Sequence, residues 1–286
     1  DPGVEVEGRE ELARALDHPD GEQLRRFAYA TMPPDPAGEW DLIAQWSAYR
    51  DHVAAKNRGL EAGATPGAVT AEGFLGYMRG HQRRTQLPRV SEVESAFQTF
   101  GVRIDGALAP DEAPFAVLKW AEEPDPDRGP HATRNEPNAP GSDLLGVNRE
   151  TGEILYVDDK AWSVRQGRTE IDEVPALTRT LAQNMDDDAD ALDLQIRALE
   201  ASGVEVDPVV ADVPRRLREA AAAVRGQFTP ESFDLERHGP RLARLMAFFD
   251  IRLAVTNARP NEHRRKDVDR KLKKAGIAFL SGPVQP

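Results

Sequence analysis

Asp143, Asp158 and Lys160 are the residues whose types and spacing best suit chemistry. They lie in the stretch SDLLGVNRETGEILYVDDK, residues 142–160, which reads as a β-hairpin. Leu144 to Val147 make a short apolar strand, Asn148 to Gly152 a polar, glycine-ended turn, and Ile154 to Lys160 a second strand. Side chains alternate faces along a strand, so Ile154, Tyr156, Asp158 and Lys160 share one face while Leu155, Val157 and Asp159 share the other. Folding back at the turn returns the second strand's end to the neighbourhood of Asp143. Two carboxylates held close suit a hard divalent cation such as magnesium, which takes oxygen ligands and keeps several waters for chemistry. A nearby lysine can stabilise the charge that develops on a phosphate under attack. Taken alone, the stretch is equally well explained as a surface hairpin whose charges are solvated and discourage edge pairing.

The elements around the hairpin have to position it. Before it, Ser91 reads as an N-cap with Glu94 at the capping-box position, opening a helix through Val93, Ala96, Phe97 and Phe100 that stops near Gly101. Pro114 to Trp120 is a short apolar strand, followed by an acidic, proline-rich loop over residues 122–141. After the hairpin, the apolar spacing predicts a helix over residues 174–201 and another over 208–224. Ile251 to Asn257 alternates as a half-buried strand, Arg264 to Ala275 is a basic helix stopped by Gly276, and Ile277 to Leu280 is a last strand. Upstream, residues 9–30, 39–57 and 70–81 read as amphipathic helices, the first broken by a turn at His18 to Gly21 and the last capped by Thr70.

An acid opening one strand, a turn, and acid-x-Lys ending the next resembles the PD-(D/E)XK nuclease superfamily. The order of helix, three strands, helices, strand, helix and strand over residues 89–286 matches that superfamily's core, with helices added before its fourth strand. The resemblance implies an α/β fold: a helical N-terminal region over residues 1–88, then a restriction-endonuclease-like core over 89–286, with a mixed central sheet flanked by helices. It also implies a metal-dependent nuclease acting on DNA or RNA. Asp143 and Asp158 would bind Mg2+ (or Mn2+), and Lys160 would be the catalytic lysine. Glu94, or Glu92, would supply a third acid from the helix before the first strand, although capping explains Glu94 equally well. Two positions depart from the superfamily pattern: Ser142 stands where proline is usual, and Asp158 where glutamate is commoner. The start without methionine, the appended helices and the absence of cysteine resemble toxin modules of bacterial secreted effectors. That further resemblance implies a cognate immunity protein as partner, and action in a target-cell cytoplasm after secretion or injection.

Composition narrows the alternatives. The 286 residues include no cysteine, which excludes disulfides, zinc thiolate sites and a cysteine nucleophile. The six histidines stand in no H-E-x-x-H or H-x₃-H arrangement, against a zinc hydrolase. No apolar run reaches transmembrane length and no signal peptide is recognisable, so no membrane contact is expected. The net charge of −12 requires that any phosphate contact use a local basic surface. One exists between Arg252 and Lys274, where nine basic residues face three acidic ones. Its Arg264, Arg265, Lys266, Lys271 and Lys274 are the candidate substrate-binding residues, and a solubilising helix face explains them as well. Asp186, Asp187, Asp188 and Asp190 lack the glycine and terminal glutamate of an EF-hand loop and read as a solvated helix face. A non-catalytic protein-interaction module with a nuclease-like fold is the alternative function.

Overall fold

The structure, a computed structural model, describes residues 10–14, 26–27, 42–61, 63–80, 87–101, 114–119, 141–159, 180–229, 233–256 and 262–280, without the side chains of 42–43, 87–89, 262–268 and 279. The short runs rich in leucine, valine and isoleucine meet in one mixed sheet. Its strands are β1 (Phe115–Lys119), β2 (Leu144–Asn148), β3 (Ile154–Asp159), β4 (Ile251–Thr256) and the three-residue β5 (Ala278–Leu280). They lie in the order β1-β2-β3-β4-β5. The first three form an antiparallel meander, and β4 and β5 continue parallel to β3. Every residue of β3 is buried, because helices cover both faces of the sheet.

Among the described residues, α1 (Leu42–Arg58), α2 (Ala71–Gly80) and α3 (Leu87–Phe100) precede the sheet, with shorter helical stretches at residues 10–14 and 26–27 before them. Helices α4 (Leu181–Ala201), α5 (Pro208–Ala211), α6 (Val213–Gln227) and α7 (Leu235–Phe248) lie between β3 and β4, and α8 (Glu262–Ala275) joins β4 to β5. The larger core packs Leu145, Ile154, Tyr156 and Leu253 against Met185 of α4, Leu217 of α6 and Met246 of α7. Ala182 and Ala189 of α4 and Ala220 and Ala221 of α6 are buried in this core, and such small side chains let the two helices approach closely. On the opposite face, Leu144, Leu155 and Val157 pack against Ala96 and Phe100 of α3. Each fully buried leucine or valine contributes roughly 1.5–3 kcal/mol, so both layers hold the hairpin firmly.

The observed α/β architecture agrees with the expectation of N-terminal helices followed by a mixed sheet with flanking helices. Thr70 caps α2 as expected, its hydroxyl accepting from the Gly73 amide at 3.0 Å. Two local expectations need correction, and one helix was not foreseen. Helix α3 starts at Leu87, so Ser91 is a buried residue inside it rather than its N-cap, and Glu94 has no capping-box role. The run expected as one helix over 208–224 is two, separated at Asp212, with Pro214 tolerated in the first turn of α6. Helix α7 was not legible, because His238-Gly239-Pro240 reads as a break. Asp234 caps it, accepting from the Arg237 amide at 2.7 Å, and Gly239 packs against Ala275 of α8.

Candidate active site

The hairpin's register decides which side chains meet. Leu144 pairs with Val157 and Leu145 with Tyr156, and the Asp143 amide donates to the Val157 carbonyl at 3.1 Å. The paired register ends at Leu144: Asp143 stands in a bend just before β2, and its amide hydrogen bond to Val157 falls one residue off the regular ladder. Asp158 shares the Tyr156 face, covered by α4, and the Asp143 carboxylate is held at the same end of β3 by the Asp159 amide. Asp143 is half-buried and Asp158 is 3% exposed.

Two further residues join them from neighbouring elements. Asp188 of α4 is 2% exposed, with one carboxylate oxygen accepting from the Ser142 amide at 2.8 Å and the other from Lys119 Nζ at 3.0 Å. Lys119 reaches this face through a β-bulge. The pairing of β1 with β2 shifts by one residue between Val117 and Lys119, so Lys119 pairs with Leu145 and takes that residue's side of the sheet. Under the group lies the buried Tyr156 hydroxyl. Burial pushes this phenol well above its ordinary range, and Asp188, Asp143 and Asp158 push it further, in keeping with three carboxylates close by.

Asp159 belongs to the other face, as the alternation predicts. Its side chain is buried under α3, where one carboxylate oxygen accepts from Ser95 Oγ at 2.5 Å and Thr256 Oγ1 at 2.7 Å. Its amide donates to Asp143 Oδ2 at 2.5 Å, so the backbone of one acid orients the carboxylate of the other. Burial raises the Asp159 carboxyl from 3.8 to about 6, Asp143 adds to the rise, and the hydroxyl groups around it oppose it.

The remaining candidates separate clearly. Lys160 lies outside the described residues. Glu94 is not brought into the Asp143–Asp158 group; it pairs with Arg26 Nε at 3.2 Å, and the Arg26 guanidinium stacks 3.6 Å above the Phe97 ring. The basic helix α8 follows β4, whose last residue, Thr256, pairs with Asp159. The chain thus leaves β4 at the acidic end of the sheet, and the first turns of α8, carrying Arg264, Arg265 and Lys266, follow from that end. Their side chains lie outside the described set. Lys271 and Lys274 stand near the far end of the helix, the first half-buried and the second exposed. The expected substrate surface is therefore split along the helix.

Asp188 and Lys119 were not singled out from sequence, and the solvated face assigned to Asp186–Asp190 is corrected at its centre. Asp186 pairs with Arg225, Asp187 with Gln183 and Asp190 with Arg218, as surface acids do, but Asp188 is buried. The signal was its spacing. Asp188 falls three residues after Met185 and four before Leu192, inside the apolar stripe of α4.

The donor set is all oxygen, without histidine or cysteine. Among the described residues no group of three or more such side chains is arranged to hold a metal unaided. Two neighbouring carboxylates nevertheless fit magnesium, which is commonly held by one or two carboxylates, water and substrate phosphate. Comparison with known proteins finds no matching family, no significantly similar curated protein and no significantly similar solved structure.

Proposed function

We propose that the chain is a divalent-metal-dependent nuclease that hydrolyses phosphodiester bonds of DNA, or of RNA. The observation that carries this reading is the Asp143 carboxylate held on the Asp159 amide, next to Asp158, at the end of the sheet from which the basic helix α8 departs. Like charges held close together cost stability, and a cation between them reverses the sign of that interaction. Asp143 and Asp158 would hold a magnesium or manganese ion, which supplies charge neutralisation at the phosphate and a more acidic attacking water.

The chain's own groups have separate tasks in that reading. The Asp159 amide holds the Asp143 carboxylate at the end of β3. Asp188 holds the Ser142 amide, fixing the backbone on which Asp143 stands. Lys160 follows Asp159 directly and would offer an ammonium to the non-bridging phosphate oxygens. Arg264, Arg265 and Lys266 would hold neighbouring phosphates of the strand, a sequence-tolerant grip that salt weakens. Hydrolysis consumes one water per bond and releases a phosphate monoester and an alcohol. A role as a toxin opposed by an immunity protein stays within this proposal, because such a partner would act by covering the same acidic and basic surfaces.

The test is cleavage of plasmid, single-stranded DNA and tRNA in magnesium or manganese and in chelator. Cleavage that needs the cation and disappears in Asp143→Asn supports the nuclease. No cleavage of any of the three, with no cation-dependent change in melting temperature, would leave the non-catalytic interaction module as the better account.

A further inference from the structure

The acidic group carries its own cation. Lys119 stands on β1, outside the hairpin motif, and it reaches Asp188 only because the β-bulge turns it to the face of Leu145. Its side chain is 26% exposed while that of Asp188 is 2% exposed, so the ammonium lies between a buried carboxylate and solvent. Gly141 completes the arrangement. It adopts φ +103°, and a Cβ there would sit 2.6 Å from Lys119 Nζ and collide with the Asp188 carboxylate. A side chain at 141 would displace the pair, so glycine is the residue this packing requires.

Lys119 therefore belongs to the same electrostatic group as Asp143 and Asp158. Asp188 is linked to Asp143 through the Ser142 amide, and all three carboxylates act on the Tyr156 hydroxyl. We propose that Lys119 is the resident counter-charge of this aspartate group, offsetting part of its negative charge and thereby setting how tightly the group binds a divalent cation. The proposal rests on the cation-site reading above and adds a regulator to it. A fixed positive charge beside a cation site weakens binding, and its loss tightens it. The ammonium also holds the acids together before a cation arrives, which lowers the cost of gathering like charges.

The experiment is titration of the purified chain with Mg2+ and with Mn2+ at low ionic strength, followed by calorimetry and melting temperature. Four proteins are compared: wild type, Lys119→Met, Lys119→Arg and the double variant Lys119→Met/Asp188→Asn. Lys119→Met is expected to bind the cation at least ~3-fold more tightly while melting several degrees lower in chelator, because Asp188 stays buried without its partner. Lys119→Arg is expected to keep wild-type affinity. The double variant removes one charge of each sign and is expected to return to within about twofold of wild type. Should Lys119→Met fail to fold, Lys119→Gln replaces it with the same expectation.

Equal or weaker cation binding by Lys119→Met, beside a wild type that binds, overturns the counter-charge role and leaves the cation site intact. Binding by Lys119→Met alone supports the role and contradicts metal dependence of the native chain. No binding by any of the four overturns both.

Discussion

Asp158 and Asp159 are neighbours on one strand, and the two faces of the sheet give them different lives. Asp159 is enclosed by donors: Ser95 from α3 and Thr256 from β4 both give hydrogen bonds to its carboxylate. Asp158 points instead to the side that already holds Asp143 and Asp188, with Lys119 as a counter-ion. Asp159 behaves as a structural acid that fastens a helix and a strand to the hairpin. Asp158 belongs to a group that gathers more carboxylates than stability alone would select. The difference teaches that a pair of adjacent acids in a buried strand is not one signal but two, separated by the alternation of the pleat.

The sharpest ways to break this contrast act on Asp159. Asp159→Ala strands two buried hydroxyl groups and is expected to cost about 3 kcal/mol in urea unfolding. Asp158→Asn is expected to change stability in chelator by less than about 1 kcal/mol, or to raise it, since it relieves like-charge repulsion. Equal losses for the two would erase the distinction. Of similar size is the pH effect. The Asp159 carboxyl is raised from 3.8 to about 6, so the folded state holds this proton more tightly than the unfolded chain does. Its contribution is fully present below pH 3.8 and is lost as pH rises through about 6, a change of roughly 3 kcal/mol. Unfolding curves for Asp159→Asn, taken in chelator between those pH values, should lack that slope. If they keep it, the buried carboxyl is not its source.

The smallest expected effect concerns the two ends of α8. Replacing Arg264, Arg265 and Lys266 by glutamine should weaken binding of a phosphorothioate oligonucleotide about tenfold at low salt and flatten its dependence on salt. The corresponding change at Lys271 and Lys274 should matter less, because those positions lie toward the far end of the helix from the acidic group. A larger effect at Lys271 and Lys274 would move the substrate path to the other end of the sheet.

Much of this was legible in the sequence, and the limits have physical reasons. Strand alternation placed Asp158 and Asp159 on opposite faces, because a period of two needs no knowledge of neighbours. The turn between Asn148 and Gly152 announced itself through polar residues and glycine. The sequence also placed the strands and the basic helix, whose boundaries are marked by apolar runs and by Gly276. Asp188 was hidden because three flanking aspartates are indeed surface residues, and only its phase in the apolar stripe distinguishes it. Lys119 was hidden more deeply. Its face depends on a one-residue slip in the pairing of β1 with β2, and a bulge leaves no mark in the pattern of a five-residue strand. Helix α7 was missed because glycine and proline usually interrupt a helix, whereas here Gly239 serves close packing against α8.

The central claim, that the Asp158 face is the chemical one, is tested most directly by comparing phosphodiester cleavage by Asp158→Asn and Asp159→Asn in millimolar magnesium. The expected result is a loss on the order of 10³-fold for Asp158→Asn, with Asp159→Asn within about tenfold of wild type. Equal activity in the two variants, or a greater loss in Asp159→Asn than in Asp158→Asn, would contradict it.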